Sequence, residues 1–167
     1  MTRTSGRFWL GLVLAAFAPT FAVDAQEPTS AQGLAADLVG SWTLESWTLA
    51  NGSPRCSEEE GRVSGLLVYT SDGHMSVQLG CSEIDVGDLS GLSPQQVVAR
   101  LSRRHFTYYG PYTVDAAAQA VTHHVEGSSS EGFVGSDQVR PFVLEGRERF
   151  VLSPEGSDQR LVWLRNR

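Results

Sequence analysis

The sequence predicts an all-β protein, an eight-stranded antiparallel up-and-down barrel with one helix between the third and fourth strands. Short segments with the alternation of half-buried strands recur at regular spacing, and turns rich in Gly, Ser and Asp separate them. A single segment has helical periodicity. The strands follow one another as hairpins, which favours an up-and-down barrel over a Greek-key sandwich. A barrel of this size leaves room for packed side chains or for one small ligand.

The N-terminus has the pattern of a secretory signal peptide over residues 1–25. Arg3 and Arg7 supply positive charge, an apolar run follows over residues 8–18, and small residues precede the expected cleavage after Ala25. The apolar run is shorter than the roughly 20 residues that span a bilayer, which argues against a membrane anchor. We therefore expect an exported protein, periplasmic or secreted.

The remaining chain is predicted to be one domain without a membrane span. Residues 26–37 are expected to form a short linker, and residues 38–167 the barrel domain. The full chain carries a net charge of -6, and all its basic residues except histidine are arginines. None of the arginine clusters is long enough to indicate a nucleic-acid partner.

The first strand and the hairpin after it are read from alternation. Residues 41–49 place Trp42 and Leu44 on one face and Trp47 on the other. The next two strands, over residues 63–70 and 74–80, flank a turn with Gly in its last position.

Two cysteines frame this hairpin. Folding about its turn brings the start of the second strand beside Cys81, and Cys56 lies a few residues upstream of that start. An even cysteine count in an exported protein suggests a disulfide, and the alternative is a pair of free thiols. We expect the Cys56–Cys81 bridge.

The predicted helix begins after Ser93. Ser93 is a suitable N-cap, Pro94 suits the first helical position, and Gln96 stands where a capping-box side chain belongs. Its buried stripe is expected to contain Val97, Val98, Leu101 and His105. Five further strands are predicted over residues 106–114, 120–127, 138–145, 149–153 and 160–165. The Ser-rich segment around residues 128–130 is expected to be a flexible connection.

Several segments together resemble the bacterial and fungal lipocalin-like domain family. Gly40-Ser41-Trp42 matches the G-x-W signature of lipocalins, and the resemblance extends over residues 38–166 through GLLVYTSDGHMSVQL, YYGPYTVD, VTHHVEGS, GSDQVRPFVL and LVWLR. It implies a calycin-type barrel that holds a small apolar or amphipathic molecule. It also implies that Arg165 packs over Trp42 at the base of the barrel, a cation–π contact of about 0.5–2 kcal/mol. The resemblance carries no catalytic residues.

Adjacent histidines mark the main candidate site. Side chains alternate along a strand, so His123 shares the apolar face of Val121 and Val125, and His124 lies on the opposite face. We expect His123 inside the barrel and His124 towards solvent. His123 either serves as a core histidine with one polar partner, or orients a ligand or moves a proton near neutral pH.

Five other residues are candidate ligand contacts. Arg140 stands between apolar residues and either extends outward or is buried for binding. His74 is expected outside the barrel or at its rim. Tyr69, Tyr109 and Tyr112 suit a pocket for an amphipathic molecule and suit barrel packing equally well.

The sequence shows no signature of a metal site or a bound cofactor. Adjacent histidines on a strand diverge, the cysteines are expected to be bridged, and neither a phosphate-binding glycine loop nor a nucleophile elbow is present. The favoured function is binding of a small apolar or amphipathic molecule in the barrel. The alternative is a barrel enzyme, an isomerase, cyclase or hydrolase that uses His123 as general acid and base.

Overall fold

A computed structural model describes the chain over residues 30–83, 87, 89–102 and 105–167. The predicted signal peptide and the first part of the predicted linker, residues 26–29, lie outside the described residues, and so does the side chain of Leu101.

The described residues form nine strands and two α-helices. In chain order these are α1 (Ala31–Leu38), β1 (Gly40–Thr48), β2 (Val63–Tyr69), β3 (His74–Cys81), α2 (Pro94–Ser102), β4 (His105–Asp115), β5 (Ala120–His124), β6 (Gly127–Ser128), β7 (Asp137–Glu145), β8 (Arg149–Leu152) and β9 (Arg160–Arg165). A 3-10 helix covers Glu131–Phe133. None of the helices in the described ranges is long and apolar enough to cross a membrane.

Eight of the strands close into an antiparallel barrel. Each pairs with its neighbours in the order β1, β2, β3, β4, β5, β7, β8, β9, and β9 returns to pair with β1. β6 pairs with β4 beyond the end of β5, where Ser128 lies opposite Tyr108. The predicted eight-stranded barrel with a helix between the third and fourth strands is confirmed.

Helix α2 has the predicted start but not the predicted burial. The backbone N–H of Ser93 donates to Gln96 Oε1 at 2.8 Å, and the N–H of Gln96 donates to Ser93 Oγ at 3.3 Å. Val97 is half-buried and Val98 is 61% exposed. The expected buried stripe is therefore wrong at Val98, because α2 lies on the barrel surface beside β4. It is also wrong at His105, which is the exposed first residue of β4.

Helix α1 lies in the segment that was expected to be a linker. Ser30 caps it by accepting a hydrogen bond from the N–H of Gly33 at 3.0 Å, and Leu34 and Leu38 are buried in the core. The expectation of a single helix in the mature chain was wrong. A helix of eight residues with two buried leucines shows little periodicity in the sequence. It is stabilised by packing these leucines into the core, which the sequence pattern does not reveal.

The base of the barrel is built on Trp42, which is fully buried. The Arg165 guanidinium lies 4.1 Å from the centre of the Trp42 ring and donates to the carbonyl oxygen of Val39 at 2.7 Å. A β-carbon on Gly40 would lie 2.7 Å from Arg165 Nη1, and Gly40 has a φ of 135°. The G-x-W motif therefore needs glycine for its backbone conformation and for the approach of the arginine.

The disulfide closes the opposite end of the β2–β3 hairpin from its turn. Cys56 and Cys81 are bonded, with their Cα atoms 5.9 Å apart, and Cys81 pairs with Val63 in the sheet. The predicted bridge is confirmed.

Candidate functional site

An internal cavity of about 250 Å³ occupies the barrel above its packed base. It opens at the end away from Trp42, because β1 runs from the base at Gly40 to the cavity wall at Trp47. Its aliphatic wall is formed by Leu67, Val77, Leu79, Leu152 and Leu161. Aromatic and polar side chains complete it.

His123 forms the inner end of this cavity. It is 1% exposed, so the alternation of the strand placed it correctly inside the barrel. The hydroxyl of Tyr69 lies 2.7 Å from His123 Nε2, and the hydroxyl of Tyr108 lies 2.9 Å from Nδ1. Each ring nitrogen of His123 is therefore hydrogen-bonded to a tyrosine hydroxyl. We call these three residues the Tyr–His–Tyr network.

The network is uncharged at neutral pH. Burial, and secondly the positive charges of Arg140 and His124, lower the pKa of His123 to about 3. Burial also raises the pKa of Tyr69 and of Tyr108, with the Arg140 charge opposing both shifts. Neutral imidazole and neutral phenols result.

This protonation state bears on acid–base catalysis by His123. The geometric requirement of a polar group within hydrogen-bond reach beside an open cavity is met. A general base works best when its pKa is near the operating pH, and a pKa of about 3 leaves His123 a weak base. The structure therefore favours a structural role for His123, as the hydrogen-bond partner of Tyr69 and Tyr108, over proton transfer near pH 7.

Arg140 also reaches the cavity. It is half-buried on β7, on the face that carries buried Phe142, and its guanidinium donates to the carbonyl oxygen of Val139 and to Gln138 Oε1, both at 3.0 Å. Within the described part of the chain it forms no ion pair. Its sheet partner on β5 is Val121.

The other candidate residues lie away from the cavity. Tyr69 is buried below it, and Tyr112 packs on Tyr69 with ring centres 4.8 Å apart and donates to the carbonyl oxygen of Thr70 at 3.2 Å. His74 is exposed at the β2–β3 turn, which lies at the base because Tyr69 pairs with Gly40. Tyr109 is 56% exposed on the outer face. Only Tyr69 among these four joins the site, through His123.

Trp47 was assigned to the wrong face of β1. The pairing of β1 with β9 shifts between Leu44 and Ser46, so one extra residue is accommodated there as a bulge. Beyond the bulge the alternation is reversed, and Trp47 lines the cavity with its Nε1 donating to Gln159 Oε1 at 2.9 Å. Strict alternation could not reveal this, since the bulge depends on pairing with a strand more than a hundred residues away.

The Ser-rich segment is ordered and contributes to the cavity. Ser128 Oγ donates to the carbonyl oxygen of Thr107 at 3.0 Å, and the Thr107 N–H donates to Ser129 Oγ at 3.0 Å. The 3-10 helix that follows packs the Phe133 ring against Phe106, with ring centres 4.8 Å apart, at the cavity. The expectation of a flexible connection was wrong, because serine side chains attach the segment to β4.

His124 belongs to a separate row on the outer face. Its Nδ1 lies 2.7 Å from Asp137 Oδ1, and its Nε2 lies 3.0 Å from Thr113 Oγ1. The row combines an acid, a base and a hydroxyl, but the cavity wall does not include it. It explains why two adjacent histidines occur, since each has its own polar partners on its own face.

Comparison with known proteins gives a family and a fold. The family model described as the lipocalin-like domain matches residues 39–164. No curated protein matches the chain. A redesigned β-barrel is 14% identical, with a TM-score of 0.45 over 80% of this chain and 95% of its own. A protein of the DUF4847 family from Bacteroides vulgatus is 12% identical, with a TM-score of 0.43 over 77% of this chain and 94% of its own.

Proposed function

The chain belongs to the lipocalin-like domain family, and from this premise we propose that its barrel binds one small apolar or amphipathic molecule. The observation that carries the proposal is the cavity of about 250 Å³ that the packed base leaves open above His123. Pockets for drug-sized ligands measure about 300–1,000 Å³, so the ligand enclosed here is smaller than those.

The composition of the wall supports a partly apolar ligand. Aliphatic side chains surround the cavity, and rings of Trp47, Phe106 and Phe133 lie nearer its mouth. Each Å² of apolar ligand surface removed from water contributes about 25 cal/mol. The polar groups of Tyr108 and Arg140 occupy part of the wall and would fix the orientation of an amphipathic molecule, with His123 holding the hydroxyl of Tyr108 in place.

We also propose that the protein works outside the cytoplasm, periplasmic or secreted. The signal-peptide pattern of residues 1–25 and the Cys56–Cys81 disulfide support this location, because disulfides persist in oxidising compartments. Expression of the full chain in its source cells should yield a periplasmic or secreted form that begins at Gln26. Recovery of the uncleaved chain from the cytoplasm would contradict the proposal.

Native mass spectrometry of residues 26–167 purified from the source cells tests the binding function directly. We expect an added mass under gentle conditions that disappears on denaturation, and the lost mass identifies the ligand.

Two matched variants locate the binding site. Val77→Phe places a ring inside the cavity, and Val143→Phe places the same ring at a position that is 53% exposed on the outside. We expect the first to abolish the added mass and the second to keep it. Leu152→Phe on the β8 side of the cavity serves as a second internal variant if Val77→Phe does not fold. Retention of the ligand by a folded, cavity-filled variant would place binding elsewhere.

A further inference from the structure

The wall of the barrel has a gap beside the cavity. β1 pairs with β2 only at the base, from Gly40 to Thr43, whereas β2 pairs with β3 along its whole length. Beyond Thr43, the strand that pairs with β1 is β9. An outer groove of about 680 Å³ lies between the upper half of β1 and the start of β2, and its sides include Ser46 on β1 and Val63 on β2.

Trp47 separates this groove from the cavity. Among the described residues it is the one that lines both. Its Nε1 donates to Gln159 Oε1 at 2.9 Å, and the Arg55 guanidinium lies 5.4 Å from the centre of its ring. The ring is half-buried, so it can turn aside at a smaller cost than the fully buried ring of Trp42. Turning it aside would join the groove to the cavity.

The segment that follows β1 covers the groove from outside. The N–H of Arg55 donates to the carbonyl oxygen of Trp47 at 2.8 Å, so the segment lies alongside β1 in the position that β2 takes at the base. Cys56 follows directly, and its disulfide to Cys81 attaches the segment to the end of β3, on the other side of the gap. Among the described residues, the next backbone bond to that side is at Glu60, whose carbonyl oxygen accepts from the N–H that follows Ser82.

The β4 side of the cavity mouth is held in place by more contacts. Ser128 and Ser129 are hydrogen-bonded to the backbone of Thr107, and the rings of Phe106 and Phe133 pack with their centres 4.8 Å apart. A movement that admits a ligand therefore meets less resistance on the other side, where β1 and β2 are not paired and one disulfide spans the gap.

We propose that the gap between β1 and β2 is where the cavity opens for its ligand, with the Trp47 ring as the gate, and that the Cys56–Cys81 disulfide keeps this gate closed. The inference rests on the proposed binding function and adds how ligand exchange is controlled. With the disulfide intact, the covering segment holds Trp47 in place and a bound molecule exchanges slowly. Reduction detaches the segment from β3, so the ring turns aside and the molecule exchanges faster.

Dithiothreitol reduces the disulfide without any further reactant. Its thiolate attacks the sulfur of Cys81, which is half-buried, because Cys56 is only 4% exposed. The bond between the two cysteines breaks, and Cys56 leaves as a thiolate that takes a proton from water. The second thiol of the reagent then displaces Cys81, so the protein gains two thiols and the reagent becomes a cyclic disulfide. The double variant Cys56→Ser/Cys81→Ser lacks the disulfide in the absence of any reagent.

The first test needs no ligand. NMR measures hydrogen exchange of the indole N–H groups in residues 26–167, both oxidised and reduced with dithiothreitol, and Trp47→Phe assigns the Trp47 signal. We expect reduction to speed exchange of the Trp47 N–H by about tenfold or more, and the double serine variant to match the reduced protein. The N–H of Trp42, which is bonded to the carbonyl oxygen of Leu38 at the base, is the internal control and should change by less than about twofold.

The second test measures the passage of a probe molecule, toluene. NMR gives its rate of exchange between water and the cavity, which we expect to rise by about tenfold or more on reduction. Ser46→Phe places a ring in the groove and should remove most of this rise. Ser64→Phe is the matched control, because it places the same ring on the exposed face of β2 outside the groove, and it should preserve the rise.

The outcomes separate the gate from the function on which it rests. Equal exchange of the Trp47 N–H in the oxidised and reduced protein, or an equal rise at Trp42, would overturn the gate, because the disulfide would then control no local opening. Toluene that binds but exchanges at one rate in both states would overturn the gate and leave the binding barrel intact. A rise that Ser46→Phe preserves would place the entrance outside the gap. Failure of toluene to bind in either state would contradict the proposed function, and the gate with it.

Discussion

The packed base and the cavity wall each bury a tryptophan, and the hydrogen bonding of the two indoles differs. Trp42 at the base is fully buried, and its Nε1 donates to the carbonyl oxygen of Leu38 at 2.9 Å. Trp163 at the cavity is 1% exposed and its Nε1 has no partner within the described residues. An unsatisfied buried donor costs about 1–3 kcal/mol. The base therefore satisfies its buried indole N–H, whereas the cavity wall buries an indole N–H that has no partner among the described residues.

The surroundings of the two tryptophans show the same contrast. Phe150 packs against Trp42 with ring centres 4.9 Å apart, Arg165 covers its other side, and α1 closes the end of the barrel with Leu34 and Leu38. Trp163 also has Phe150 as its strand partner, but its side chain lines the cavity. The cavity begins at the Tyr–His–Tyr network, which lies between it and the packed base.

The largest effect is expected from removing the ring at the base. Trp42→Ala should lower the free energy of unfolding by about 3–5 kcal/mol, because a fully buried ring, its hydrogen bond and the arginine contact are lost together. Trp47→Ala, at the half-buried cavity wall, should cost clearly less. Urea unfolding followed by circular dichroism measures both. Equal losses at the two positions would refute the division into a packed base and an open cavity.

The sequence predicted the base better than the cavity. The family resemblance implied the contact of Arg165 with Trp42, and folding about the hairpin turn predicted the Cys56–Cys81 bridge; the structure has both. The cavity residue Trp47 was missed because the β1 bulge is set by pairing with β9. Its neighbour Phe133 was missed because a Ser-rich segment shows no periodicity, while its order comes from hydrogen bonds to β4.

Trp163 and His123 show how far the alternation of a strand can be taken. Alternation predicted His123 inside the barrel, and the structure buries both His123 and Trp163 there. It gives no information about hydrogen bonds, which depend on where the other strands place their tyrosines and carbonyl groups. The satisfied histidine and the unsatisfied indole could therefore be told apart only in three dimensions.

A loss of stability of intermediate size is expected at low pH, and it comes from His123 in the Tyr–His–Tyr network. The folded-state pKa of His123 is about 3, below the ordinary value of 6.5, so between these values the unfolded chain binds a proton that the folded chain does not. The stability is unaffected by this group above pH 6.5 and falls as the pH drops from there towards 3. The loss has a limiting slope of about 1.4 kcal/mol per pH unit.

Two measurements check this pH dependence. Unfolding free energies at pH 7 and pH 5 should differ more in the wild type than in His123→Gln. In NMR spectra of the folded wild type, the ring resonances of His123 should not titrate between pH 7 and pH 5. A midpoint for His123 inside that interval would show that the histidine exchanges protons freely, and would restore it as a candidate general base.

The smallest effect concerns a single hydrogen bond. The Trp42 indole makes this bond, and the Trp163 indole makes none among the described residues. Trp42→Phe and Trp163→Phe remove the same atoms from positions that are both almost fully buried. At Trp42 the change also breaks the bond to Leu38, whereas at Trp163 it removes a donor that has no partner in the described structure. We expect the unfolding free energy to fall by about 1 kcal/mol more for Trp42→Phe than for Trp163→Phe. An equal loss for the two variants would mean that the Trp163 N–H has a hydrogen-bond partner in solution, and would contradict the contrast between the two indoles.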